Sequence, residues 1–292
     1  DLDVSYEIRP DRYSRMRFRV NITAVQSKGR DAAQITMRVL PKEPPTMTEL
    51  KIEEDIINNW APRQGMVVVT GPTGSGKSTL LAAGNRMLIE RPRGCGKMLT
   101  YEAPIEYTYD TIHSPRSLIS QTEIPRHLPD FAAGIRNALR RKPNIIMVGE
   151  ARDRETIAAA IEAAQTGHAV YTTTHTMGVA ATVRRMVSTF DISERGERAY
   201  ALMETLRLIV TQALVPKKSG GRLGVREWMR FPDEVREKLL DMNYEEWGSE
   251  IQRMIPQYGQ TMAKTATAYF EAGVIDRRWY LLLTGAATGG GH

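Results

Sequence analysis

The 292-residue sequence has a single cysteine, Cys95, so it has neither an internal disulfide framework nor a cysteine-rich zinc site. It also lacks any apolar run near the ~20 residues a membrane helix needs; stretches such as 66–69 and Ile145–Val148 are far shorter. The opening DLDVSYEIRP has no apolar core and no cleavage signature, so no secretory signal is read there. With no initiator methionine, the sequence is expected to begin inside a longer protein. Aromatic residues make up only 7%, and acidic residues (34) fall short of Lys plus Arg (40), leaving a net charge of +6. That excess is moderate and reads first as a solvated surface. No basic helix carries interleaved aromatics of the kind that stack bases, so nucleic acid is not an expected partner. What remains, 41% apolar and 25% charged residues, is the composition of a soluble globular protein. The length exceeds a domain of ~100–150 residues, which points to two lobes or one large domain with an appendage.

Residues 1–45 read as a small β-containing lobe. In MRFRVNI, Met16, Phe18, Val20 and Ile22 fall on one face and Arg17, Arg19 and Asn21 on the other. A second alternation runs through Ile35, Met37 and Val39. The run PKEPP at 41–45 then breaks the chain, because proline removes a donor and fixes φ. Residues 46–63 are taken as a linker. From Met66 the pattern becomes strand, turn, helix, repeated. Strands are expected at 66–70, 97–101, Ile145–Val148 and 169–173, with helices at Lys77–Glu90, 129–141, 155–165 and 179–189. Asp153 suits an N-cap and Gly167 a helix stop. This alternation predicts an α/β fold with an open, mainly parallel sheet covered on both faces, over residues 64–230. Beyond 195 the sequence reads as mostly helical, with one short strand at 225–229 and a helical region at 231–292. The tail GAATGGGH is expected to be mobile.

The strongest chemical signal is Gly71-Pro72-Thr73-Gly74-Ser75-Gly76-Lys77-Ser78-Thr79, which satisfies GxxxxGK[ST] between a strand and a helix. Such a loop turns successive N–H groups and a helix N-terminus toward phosphate oxygens. Lys77 is placed to reach the β- and γ-phosphates and Ser78 to ligate Mg²⁺, so ATP and Mg²⁺ are the expected ligands. Hydrolysis also needs a carboxylate at a neighbouring strand end. Glu150 follows the strand IIMV, with Gly149 where an aspartate commonly stands. Glu102 and Glu106, in LTYEAPIEY, follow another strand at the same sheet edge, and either has the position to polarise the attacking water. His168 and His175 bracket the strand AVYTTT. Their spacing is poor for a metal, which leaves a structural role or, for His175, a sensor of the γ-phosphate. Cys95, in a Gly-Cys-Gly turn, has no group to activate it.

GPTGSGKSTL, LTYEAPIEY, ALRRKPNIIMVGEARDRETI and TGHAVYTTTHT, in this order, resemble the four motif blocks of the PilT-like secretion ATPases of the type II/type IV secretion superfamily. The blocks correspond to its phosphate loop, acidic box, second acidic motif and histidine box. MRFRVNI and ITMRVLPKEPPTMTEL resemble the end of the PAS-like α+β N-terminal domain, which looks truncated here. TQALVPKKSGGRLGVREWM extends the likeness downstream. The type IVB, Dot/Icm-like branch and its conjugative relatives look most similar. The resemblance implies a RecA-like P-loop ATPase working as a cytoplasmic homo-hexamer, with ATP at subunit interfaces. Such a motor is recruited to the inner-membrane components of a secretion system and acts on translocated proteins only indirectly. It further implies Glu106 as the catalytic base, Glu150 as the Mg²⁺-proximal carboxylate, and His168 and His175 as the box histidines. Arg38, and less strongly Arg19, match an arginine that approaches a nucleotide across an interface. Ala103 stands where the acidic box has an aspartate, so Glu102 and Glu106 act without it. Competing readings are a pilus-retraction or conjugative motor, a nucleic-acid-stimulated RecA-like ATPase, and a nucleotide-binding assembly factor that does not hydrolyse.

Overall fold

The computed structural model describes residues 2–12 and 14–285; the glycine-rich tail from 286 onward lies outside them. Three antiparallel strands come first: β1 (Leu2–Ile8), β2 (Met16–Ser27) and β3 (Arg30–Leu40). The pleat sends Phe18 and Val20 to the same face as Met37 and Val39, and Arg17 and Arg19 to the same face as Arg38. The face that meets the rest of the molecule is the arginine face. Arg17 is buried there, while Ile35, Met37 and Val39 are exposed. The alternation is therefore as the residues suggest, with its polar side turned inward.

A short helix α1 (Glu54–Asn59) leads into the large domain, followed by β4 (Gly65–Thr70), α2 (Lys77–Glu90), β5 (Gly96–Glu102), β6 (Ser117–Glu123), α3 (Phe131–Leu139), β7 (Ile145–Val148), α4 (Arg154–Gln165) and β8 (Ala169–Thr174). Then come α5 (Val179–Ser188), α6 (Ile192–Thr205), β9 (Leu206–Pro216), β10 (Arg222–Arg230), α7 (Asp233–Leu240), a 3-10 turn at Tyr244–Glu246, α8 (Trp247–Tyr258), β11 (Gly259–Gln260), α9 (Met262–Glu271) and α10 (Arg277–Thr284). The strand order is β11-β10-β9-β4-β8-β7-β5-β6, parallel from β9 to β6, with β10 and β11 antiparallel at the other edge. This is the mainly parallel α/β sheet expected.

The all-apolar strand 66–69 is explained by cover on both faces. Met66 and Val68 pack into a core with Ile135, Ile157, Val183 and Leu202 of α3 to α6. Val67 and Val69 pack against Ile56, Trp60, Leu80 and Leu81 of the α1–α2 side. Asp153 caps α4 by accepting from the Thr156 N–H. Two expectations are corrected in part. The region after 195 is mostly helical, as expected, but it holds more strand than the short one at 225–229, because β9 and β10 form an 11- and a nine-residue antiparallel hairpin. β9, LRLIVTQALVP, is covered on both faces, so its continuous apolar run has no period that separates strand from helix. The region after 230 also contributes a strand, β11, to the sheet edge. Among the described residues, no helix is long and apolar enough to cross a membrane.

Candidate active site

The carboxyl ends of β4, β5, β7 and β8 lie at one edge of the sheet, with Thr70 of β4 paired to Thr174 of β8. Thr70 Oγ1 donates to the Thr176 carbonyl at 2.6 Å, tying the two loops together. The phosphate loop leaves β4 here. Gly71, Gly74 and Gly76 have φ of +143°, +77° and +83°, conformations that side chains resist, and a β-carbon at Gly71 would sit 2.2 Å from the Gln212 carbonyl. Ser75 Oγ is buried and has no hydrogen-bond partner among the described residues. An orphaned hydroxyl inside a glycine-built concavity at a helix N-terminus suits a phosphate group.

Lys77 is buried and donates to the carbonyls of Gly71 at 2.9 Å and Pro72 at 3.0 Å. Burial holds its pKa below the ordinary lysine value, with Glu150 opposing that shift. Its Nζ lies 3.3 Å from His175 Nδ1, and His175 Nε2 lies 3.3 Å from Glu150 Oε1. Lysine offers only donors, so Nδ1 accepts and Nε2 carries the hydrogen toward the carboxylate. Lys77, His175 and Glu150 thus form one polar line from the phosphate loop to the tip of β7. Ser78 is exposed on the first turn of α2. Among the described residues no cluster of three or more His, Cys, Asp or Glu forms a metal cage.

The loop after β5 carries the other carboxylates. Tyr107 bonds Thr79 at 3.0 Å and Tyr109 accepts from Asn85 at 2.9 Å, which fixes this loop to α2. Arg17 of β2 donates to the Ile105 and Glu106 carbonyls at 2.6 and 3.1 Å. Glu106 Oε1 is held by Arg19 Nη1 at 3.1 Å and Arg38 Nη2 at 3.2 Å, so both arginines expected to face a nucleotide here meet a carboxylate of their own chain. Glu102 is buried and accepts from Thr100 and Gln121. The structure does not bring His168 to this edge. It precedes β8 at the opposite end of the strand, where Nδ1 lies 2.9 Å from the Ala163 carbonyl at the end of α4. Sequence reasoning also passed over Gln212 of β9, whose Nε2 donates to the Ser75 carbonyl at 2.7 Å. A glutamine inside an otherwise apolar run was its only signal.

Burial pushes Glu102 up from the ordinary 4.5 to about 7, against the Thr100 and Gln121 hydrogen bonds and the nearby Arg17 charge. The folded chain therefore keeps a proton between those values that the unfolded chain releases. Stability falls as pH rises through that window, and the penalty, on the order of 3 kcal/mol, is fully present above pH 7. Glu102→Gln keeps an acceptor without the charge. Its thermal midpoint without nucleotide should match the wild type at pH 5 and exceed it at pH 8; an equal offset at both values would show a carboxyl that is ionised throughout.

Residues 7–221 match the family described as Type II/IV secretion system protein. The chain belongs to that family. Its sequence is 36% identical over 261 residues to the type IV pilus retraction ATPase PilT of Pseudomonas aeruginosa, covering 89% of this chain and 73% of that protein. Its structure is similar to the X-ray structure of the Legionella pneumophila ATPase DotB, with a TM-score of 0.94 and 50% identity over 98% of this chain and 77% of that one. It is also similar to the crystal structure of the pilus retraction motor PilT with bound ADP, with a TM-score of 0.83 and 30% identity over 97% and 77% of the two chains. The Type II/IV secretion system family therefore supplies this chain's fold and its ATPase core. The four sequence blocks fall on the loops gathered at one sheet edge, apart from His168 at the far end of β8.

Proposed function

We propose that the chain is a Mg²⁺-dependent motor ATPase that assembles as a homo-hexamer at the cytoplasmic face of the inner membrane and powers a type IVB, Dot/Icm-like secretion system. The observation that carries the reading is the line from Lys77 through His175 to Glu150, set beside the Glu106 loop at the mouth of the phosphate loop. In this reading Lys77 exchanges the Gly71 and Pro72 carbonyls for phosphate oxygens. Glu106 takes a proton from water, the water oxygen bonds to the γ-phosphorus, and the bond to the bridging oxygen breaks to release ADP. Ser78 and Glu150 would hold Mg²⁺, which neutralises charge on the phosphates. Triphosphate competes with Glu106 for Arg19 and Arg38, so nucleotide arrival frees the base and draws the N-terminal sheet toward the loop, a hinge-type switch.

The 50% identity to DotB, against 30–36% to PilT, favours secretion over pilus retraction. Phosphate release is the test. The rate per subunit should rise with protein concentration as rings form. A flat rate from dilute monomer to assembled ring overturns a site shared between subunits. Salt-sensitive stimulation by DNA would move the reading to a nucleic-acid motor.

A further inference from the structure

The hairpin of β9 and β10 carries a polar strut into the phosphate loop. Gln212 and Arg226 are both buried, on facing strands β9 and β10, where they are paired in register. Arg226 Nε donates to Gln212 Oε1 at 2.7 Å. Its remaining nitrogens are spent on the segment before α1: Nη1 on Glu53 Oε2 at 3.0 Å and the Lys51 carbonyl at 3.3 Å, and Nη2 on the Leu50 carbonyl at 3.2 Å. Arginine has donors only, so it can face only the oxygen of the Gln212 amide. The amide nitrogen is thereby turned to the other side, where it donates to Ser75 O at 2.7 Å. Three glycines make room for this arrangement. A β-carbon at Gly71 would strike the Gln212 carbonyl at 2.2 Å, one at Gly76 would lie 3.0 Å from Gln212 Nε2, and one at Gly224 would lie 2.6 Å from Arg226 Nη2.

We infer that Gln212 is a positioning residue for the phosphate loop, with Arg226 and Glu53 setting the direction in which its amide points. The physical reason lies in the loop itself. A turn that aims its N–H groups at a ligand must point carbonyls the other way, and the Ser75 carbonyl is directed into the protein, where it needs a donor. Gln212 is that donor, at the residue whose hydroxyl is left free. Holding this carbonyl keeps the loop open and ordered before nucleotide arrives, so less ordering is demanded on binding. The contact lies on the side of the loop away from Glu106 and Glu150, so it acts on ground state and transition state alike. The strut also runs back to residues 50–53, so the loop senses the seating of the segment that joins the N-terminal sheet to the core.

This inference rests on the loop at 71–79 being the ATP cradle. The test uses Gln212→Glu, which keeps an acceptor for Arg226 while removing the donor to Ser75, and Gln212→Leu, which removes both. Lys77→Ala is the control. Steady-state hydrolysis, ADP binding and the nucleotide-free thermal midpoint are measured for each. Both Gln212 variants should raise KM for ATP and weaken ADP about 5- to 10-fold, the scale of one hydrogen bond, with kcat changed less than about two-fold. Gln212→Glu should melt within a few degrees of the wild type. KM and ADP affinity at wild-type values in both variants overturn the inference. So does a loss of kcat that follows a fallen midpoint, because that marks a merely structural pair. If Lys77→Ala still binds ATP, the cradle itself is wrongly assigned; if Lys77→Ala fails to bind and the Gln212 variants bind normally, only the strut falls.

Discussion

Lys77→Ala is expected to lose nucleotide binding and to lower phosphate release by about 10²–10³-fold or more, the scale for removing a preorganised charged donor from a phosphoryl or oxyanion site. The ammonium is poised by its surroundings. It is buried, its pKa is depressed by that burial, and its hydrogen bonds go to two loop carbonyls and a histidine ring, all of them neutral partners. A buried cation with only neutral acceptors in contact gains most from an arriving anion. The substitution should cost the fold little, since Pro72 is exposed to solvent and α2 favours alanine at its first turn. Calorimetric titration with ATP and ADP, together with a thermal melt, checks this. An alanine variant that binds ATP within a few-fold of the wild type would remove the phosphate loop from the mechanism.

The parts of this site that were legible in the sequence were those written locally. The loop at 71–79 is a contiguous pattern, and the strands at 66–70, Ile145–Val148 and 169–173 are short apolar runs bounded by turns, too short for helices. Asp153 announces α4 because a cap acts three residues away. What the sequence withheld depends on distance along the chain. Gln212 is a glutamine within a mainly apolar strand and Arg226 one of several charged residues of the next, and their partners Ser75 and Glu53 lie 137 and 173 positions away. β9 went unrecognised because burial on both faces erases alternation. The arginines of β2 and β3 were visible as a basic face, but a face does not say what it touches. Folding brings Arg19 and Arg38 onto Glu106, while Arg17 holds the backbone beneath it. Glu102 was visible as a carboxylate, whereas its elevated pKa follows from burial against β6.

Glu106→Gln should leave ATP binding intact and cut hydrolysis by ~10²–10⁴-fold, the usual contribution of a general base. Its structural cost is expected to be small. Arg38 is 66% exposed, and Arg19 keeps both oxygens of Asp3, at 3.1 and 2.6 Å, when the charge on Glu106 is removed. Ion pairs of this kind contribute roughly 0–1 kcal/mol. The thermal midpoint should therefore barely move while turnover collapses, a combination that separates catalysis from folding. The variant also tests the proposed competition for the two arginines. If Glu106 holds them until triphosphate arrives, its neutral replacement releases them beforehand, and ATP should bind at least as tightly as to the wild type. Weaker ATP binding would mean that the Glu106 charge supports the nucleotide site rather than restraining it. Unchanged turnover would transfer the base to Glu150 or Glu102. The variant that binds without hydrolysing is also the form in which the proposed ring should stay closed on ATP, so it is the one with which to test for the proposed inner-membrane partners.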